Sequence, residues 1–333
     1  MVFTVKLNCM YIVMYKDIIP YFIFFVYFII LIVILSKNTK DTFIDEPIDA
    51  VYTWVDSTDP EWKKLKEKHL SAFKNETDNT NFRWTNTPNP WDEISISIES
   101  VRTYLPWVRN IYVVTHRPQK IPSEIAEQFR VIHVHHDEIF PDPRMLPVFS
   151  SHAIETCIHR IPGLAEKFIY FNDDTYITDY MQESDFFNGR APIARAYGRY
   201  TYKTDIPKGN LHNSVFLETS KYLGEFLRAP IHQAQALTKG IMQDAEDEFM
   251  KPWESTRRNK FRTETNIIPV YIAVALAIKN TKSTIDFSKT IKDLYSEDIN
   301  SVKTIKGIHM ACFNSLKASE VPLLRKIIFA NTK

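Results

Sequence analysis

Asn172, Asp173 and Asp174 follow directly on the run Phe168-Ile169-Tyr170-Phe171. An apolar and aromatic run of that length predicts a buried strand, with the polar trio at its C-terminal end. Open α/β sheets bind their ligands outside the C-terminal ends of their strands. Two adjacent carboxylates fixed there, Asp173 and Asp174, are hard oxygen ligands suited to Mg²⁺ or Mn²⁺ held against a diphosphate. The same three residues also read as an Asn-Asp-Asp turn with solvated carboxylates, so other parts of the sequence must decide between a cation site and a turn.

Asp56 closes a second hydrophobic run, Ile48-Asp49-Ala50-Val51-Tyr52-Thr53-Trp54-Val55. In a parallel sheet it shares an edge with Asp173. Its alternative use is to cap a helix before Pro60, a task that Asp59 can perform instead. Arg262 offers the planar fork of donors that suits a phosphate. It also sits beside Arg257, Arg258 and Lys260 in what reads equally as a solvated basic run. Arg83 is a further phosphate candidate on the same reasoning. Trp54 and Tyr170 can stack on a base or sugar, although most of the 22 Phe, 16 Tyr and 6 Trp serve a core. His133, His135 and His136 lack an HExxH pattern or a Cys partner and read as strand and turn residues.

The elements that would position these groups alternate. Residues 48–55, 110–115, 131–134 and 167–171 read as strands. Residues 61–73, 92–104, 121–129 and 151–160 carry helical spacing, and Pro60 suits a first turn. That alternation predicts an α/β fold, with a mainly parallel sheet flanked by helices. Beyond Gly209 the pattern becomes largely helical, at about 217–229, 233–250 and 264–280. His232 follows Pro230 in a break between two of these helices. A packed or surface histidine is the plain alternative there to a catalytic one. The apolar run 267–278 contains Pro269 and is too short to cross a bilayer, so it reads as a core helix.

Composition excludes several classes. Charge is balanced, 41 basic against 40 acidic residues, which removes bulk binding to nucleic acid. Three cysteines in no CxxC pairing give neither a disulfide framework nor a cysteine-rich zinc site. With only 7 glycines there is no GxGxxG or GxxxxGK[ST] motif. Residues 18–36 are uncharged and rich in Ile, Phe, Val and Tyr, long enough for one transmembrane helix. The expected organisation is a short tail (1–17), a membrane anchor (18–36), a stalk (37–46) and one domain (47–333). Lysines tie on the two sides of the anchor. The short N-terminus and long remainder fit a single-pass protein with its domain lumenal or external.

Several phrases together resemble the Stealth family of sugar-1-phosphate transferases. Residues 48–60 resemble its first region. Residues 83–174 resemble its second, above all Tyr104-Leu105-Pro106-Trp107-Val108-Arg109-Asn110-Ile111, Leu146-Pro147-Val148-Phe149-Ser150-Ser151, Ala153-Ile154-Glu155 and Phe171-Asn172-Asp173-Asp174. His232, Thr256 and Lys260-Phe261-Arg262 resemble a third, and Ala311-Cys312-Phe313-Asn314 a fourth. The chain departs from the family pattern at Ser57, Glu99 and Ser315.

The resemblance implies a nucleotide-sugar-transferase-like, Rossmann-related fold. It also implies transfer of a hexose-1-phosphate from a nucleotide-sugar, UDP-N-acetylglucosamine first, to a glycan hydroxyl. On that reading Asp173 and Asp174 hold Mg²⁺ or Mn²⁺ and Asn172 orients them. Asp56 contacts the donor or positions the acceptor. His232 is the base or a phosphate contact, and Arg262 and Arg83 meet phosphate. Two rivals stay open: an ordinary glycosyltransferase that releases a nucleoside diphosphate, and a degenerate anchored glycan-binding protein.

Overall fold

The computed structural model describes residues 28–29, 46–72, 90–194, 211–223, 232–280, 284–285, 293–296, 298–313 and 316–332. The chain divides into two compact units, Met1–Glu46 and Pro47–Lys333, and all elements below belong to the second. They begin with β1 (Ile48–Thr53), α1 (Pro60–Ala72), α2 (Pro90–Tyr104), β2 (Ile111–Thr115), α3 (Ser123–Phe129), β3 (Val131–His135) and α4 (His136–Ile139). After α5 (Ser151–Glu155) come β4 (Lys167–Phe171), β5 (Thr175–Ile177), β6 (Phe187–Asn188) and β7 (Ala191–Ala194). The C-terminal part comprises α6 (Leu211–Leu223), β8 (Gln235–Thr238), α7 (Lys239–Glu248), α8 (Met250–Arg258), α9 (Pro269–Lys279), β9 (Thr284–Ile285), β10 (Asp293–Ser296), β11 (Met310–Phe313) and α10 (Val321–Ile328).

The main sheet has the order β3-β2-β1-β4-β8. Its first four strands are parallel, with Ala50 opposite Ile111 and Val51 opposite Tyr170. β8 runs antiparallel to β4, with Tyr170 opposite Gln235, so the sheet is mixed. The chain winds from β1 outward to β3, then returns to place β4 on the other side of β1. The direction of winding therefore reverses between β1 and β4, which opens a crevice at their C-terminal ends. Two smaller sheets, β10-β11-β5 and β6-β7-β9, complete the fold.

Both faces of the central strands are buried, and side chains alternate between them. Val51, Phe168 and Tyr170 join the core formed with α7 and α9. Ala50, Tyr52, Ile169 and Phe171 join the core formed with α2. This two-sided burial explains why β4 reads as an unbroken apolar run. At its opposite end the sheet is tied by Asp49, which is fully buried. Its carboxylate accepts from Arg109 Nε and Nη2 (2.9 and 2.6 Å) and from the amides of Asn110 (3.1 Å) and Ala165 (2.8 Å). Asp49 thus joins the chain entering β2 to the turn before β4. Asp49→Ala leaves the Arg109 guanidinium without that partner and two amides unsatisfied. Chemical denaturation should show a loss of about 3 kcal/mol.

The structure corrects several expectations. No helix among the described residues is long and apolar enough to cross a membrane. That overturns the transmembrane helix over 18–36, the single-pass localisation and the lumenal or external placement that followed from it. Hydropathy reports transfer free energy rather than helix formation, and Ile, Val, Phe and Tyr are only middling helix formers. Within that segment Phe28 and Ile29 are helical, and the rest lies outside the described residues.

The C-terminal part is less helical than expected, because β8 occupies the start of the segment read as a helix over 233–250. The free edge of β4 recruits Gln235–Thr238 as a strand, and α7 starts only after Thr238, whose Oγ1 caps the amide of Ile241 at 3.0 Å. The helix expected over 151–160 stops at Glu155 and gives way to a 3₁₀ turn at Ile158–Arg160. The run 267–278 is a buried core helix, as its composition indicated, with Pro269 in its first turn.

Candidate active site

The C-terminal end of β4 delivers Asn172, Asp173 and Asp174 to the switch point between β1 and β4. The trio does form a turn: Thr175 donates to the Asn172 carbonyl through its amide (3.3 Å) and its hydroxyl (2.8 Å). The turn is not a solvated one. Asp173 and Asp174 are half-buried, and Asp174 Oδ1 has no hydrogen-bond partner among the described residues. The first turn of α2 brings Asp92 and Glu93 to the same place. Burial pushes the Glu93 carboxyl up to about 8, reinforced by the charges of Asp173, Asp174 and Asp92. Four carboxyl groups crowded so closely repel one another, and a divalent cation relieves that repulsion. The residues present fit such an ion, and Asp173 and Asp174 would hold it.

A polar chain extends from this cluster through the sheet end. The Tyr170 hydroxyl lies 2.9 Å from Thr53 Oγ1, 3.3 Å from Asn172 Oδ1 and 3.4 Å from Glu155 Oε1. Asn172 Nδ2 lies 3.4 Å from His232 Nε2, and His232 Nδ1 lies 3.2 Å from Cys312 Sγ. Glu155 is buried at the end of α5, where desolvation pushes its carboxyl up to about 7 against the opposing charge of Arg262. Arg262 Nη2 donates to Ser151 Oγ at 2.8 Å. Glu155, Tyr170, Asn172 and His232 therefore form one polar path beside the acidic cluster, and Arg262 acts on it through its charge on Glu155.

Of the residues singled out in the sequence, Asn172, Asp173, Asp174, His232 and Arg262 are brought to this path. Arg83, Asn314 and Ser315 lie outside the described residues. Asp56 lies in the loop three residues beyond the end of β1, and its Oδ1 is engaged by the Thr58 amide and hydroxyl at 2.8 and 2.6 Å. Asp59 caps α1 through the amides of Glu61 and Trp62. Trp54 is buried with its ring 4.0 Å from that of Trp91. The basic run divides: Arg257 is buried on Glu246 at 2.8 Å, whereas Arg258 pairs with Glu254 at the surface. Lys260 Nζ donates to the carbonyls of Leu146 and Pro147, each at 3.2 Å, and so holds the segment before α5. Glu99 pairs with Arg325 of α10 rather than with the site. His133 bonds Thr115 Oγ1 at 2.5 Å, and His136 is buried and held neutral by desolvation.

Asp92, Glu93, Glu155 and Cys312 were not given roles from the sequence. The usable signals were slight: an acidic pair in a helix's first turn, one carboxylate in an apolar segment, and a cysteine in an apolar strand.

Together these features define an α/β protein whose candidate site is the strand switch point, furnished with an acidic cluster and a histidine. Within that class the chain belongs to the Stealth family. Stealth conserved region 1 matches residues 46–72 and conserved region 2 matches residues 88–193. The chain is 35% identical over 231 residues to an exopolysaccharide phosphotransferase of Streptomyces coelicolor, an alignment covering 67% of this chain and 42% of that protein. It is 32% identical over 252 residues to a capsular polysaccharide phosphotransferase of Haemophilus influenzae, covering 70% and 66% respectively. It therefore spans less than half of the first relative and about two thirds of the second. Among solved structures, an active-site mutant of LgtC matches with a TM-score of 0.39 at 9% identity, covering 80% of this chain and 86% of that one.

Proposed function

We propose that this chain is a transferase that moves a hexose-1-phosphate from a nucleotide-sugar to a glycan hydroxyl, releasing a nucleoside monophosphate. One observation carries the reading: the acidic end of β4 and His232, 60 residues apart in the chain from Asn172, meet at the switch-point crevice. The names of the relatives, polysaccharide phosphotransferases, support the same reaction class. N-acetylglucosamine-1-phosphate is the first donor group to try, on family resemblance.

In this mechanism the acceptor oxygen attacks the sugar-linked phosphorus. The bond from that phosphorus to the bridging oxygen breaks, and the nucleoside monophosphate leaves with the bridging oxygen. His232 takes the acceptor proton, its ring oriented by Asn172 on one nitrogen and Cys312 on the other. Arg262 supplies positive charge to the donor phosphates, with Ser151 fixing its direction. Asp173 and Asp174 would hold Mg²⁺ or Mn²⁺, which neutralises diphosphate charge when bound. Asn172 orients the pair, and Trp54 with Asp56 forms the β1 side of the donor crevice.

The test incubates the full chain with UDP-N-acetylglucosamine, Mg²⁺ or Mn²⁺ and a panel of mannosyl and other glycan acceptors, and identifies the released nucleotide. UMP that depends on both acceptor and cation is the expected result. UDP would make the protein an ordinary glycosyltransferase. Binding without release from several nucleotide-sugars would make it a glycan-binding protein.

A further inference from the structure

Asp174, His232 and Cys312 each offer one donor atom, and the three atoms lie within 4.8 Å of one another. They reach this spot from three places: the turn after β4, the segment before β8, and β11. Antiparallel pairing of β11 with β5 sets Cys312 opposite Thr175, and the Phe313 amide donates to the Asp174 carbonyl at 3.1 Å. Cys312 is therefore held beside the acidic turn by backbone register.

A carboxylate, an imidazole and a thiolate do not make the all-oxygen set that Mg²⁺ prefers. They suit a borderline cation of the zinc class. His232 Nδ1 and Cys312 Sγ stand 3.2 Å apart. A tetrahedral zinc ion spaces a nitrogen and a sulfur ligand by about 3.5 Å, given its usual bond lengths. Only a small movement separates the two arrangements. A partner for the other ring nitrogen of His232 is also in place. Asn172, 3.4 Å from His232 Nε2, can turn its amide so that Oδ1 accepts from an Nε2–H while Nδ2 donates to the Tyr170 hydroxyl. That orientation leaves Nδ1 unprotonated toward the sulfur, the tautomer a ligating histidine needs.

We propose that Asp174, His232 and Cys312 form an inhibitory site for a zinc-class divalent cation, which shares Asp174 with the Asp173–Asp174 pair and adds a nitrogen and a sulfur donor to it. Binding releases the thiol proton to solvent, leaves sulfur and imidazole as ligands, and takes His232 out of proton transfer. The inference rests on the proposed role of His232 as base. It gives Cys312 a second use beyond orienting the His232 ring.

The direct test titrates the full chain with Co²⁺ in excess Mg²⁺. A sulfur-to-cobalt charge-transfer band is expected, and it should vanish in Cys312→Ser. Zn²⁺ should bind that variant at least about tenfold more weakly, and the variant should need correspondingly more Zn²⁺ for inhibition. Because Cys312 is buried, a second measurement uses the parent chain. Alkylation of Cys312, mapped by peptide mass, should slow with Zn²⁺ and not with Mg²⁺, with buried Cys157 as internal reference. No cobalt–sulfur band, or alkylation indifferent to zinc, overturns the inference. Metal-dependent UMP release under those conditions would leave the transferase reading standing. Zinc binding through Cys312 without any turnover would instead sustain the metal site and remove its inhibitory meaning.

Discussion

Asp174→Asn is expected to lower kcat by about 10³-fold while leaving the melting temperature at or above that of the parent. Asparagine keeps the volume, and its backbone carbonyl still accepts from the Phe313 amide. What changes is one negative charge among four carboxyl groups. Asp174 Oδ1 has no hydrogen-bond partner among the described residues, and its charge helps push the Glu93 carboxyl up to about 8. Removing it relaxes repulsion in the cation-free protein and removes a hard ligand from the loaded one. Stability and activity should therefore move in opposite directions. Thermal denaturation in EDTA and turnover in Mn²⁺ read the two effects separately. Full activity combined with a lower melting temperature would return the trio to the role of a turn.

His232→Gln should lower kcat by about 10²- to 10⁴-fold with a much smaller change in KM. Glutamine can still bond Asn172, so the substitution tests proton transfer more than packing. Activity within about threefold of the parent would remove His232 from the chemistry and leave it as a spacer between Asn172 and Cys312.

The acidic turn and the strand before it were legible because both are local. Phe168 to Phe171 is apolar at every position, since both faces of β4 are covered. Asn172-Asp173-Asp174 then marks where the cover ends. Pro269 and the run after it similarly announced a buried helix. Elsewhere local signals competed with tertiary ones. Gln235–Thr238 carries weak preferences of its own, and its strand state exists because β4 offers an unpaired edge. The local turn by which the Thr58 amide and hydroxyl hold one oxygen of Asp56 was not legible either. The apolar composition of 18–36 suggested a spanning helix, an expectation that no described helix supports.

By itself the sequence determined the α/β alternation, the acidic strand end and the family, because strand periodicity and phrase order are written in neighbouring residues. Only the tertiary structure decided which distant groups share the crevice. Glu93 arrives on the first turn of α2, Glu155 at the end of α5, His232 ahead of β8 and Cys312 on β11. Their meeting depends on a strand order that reverses between β1 and β4 and on the register of β11 against β5. Those pairings join segments far apart in the chain, and no local pattern of side chains encodes them.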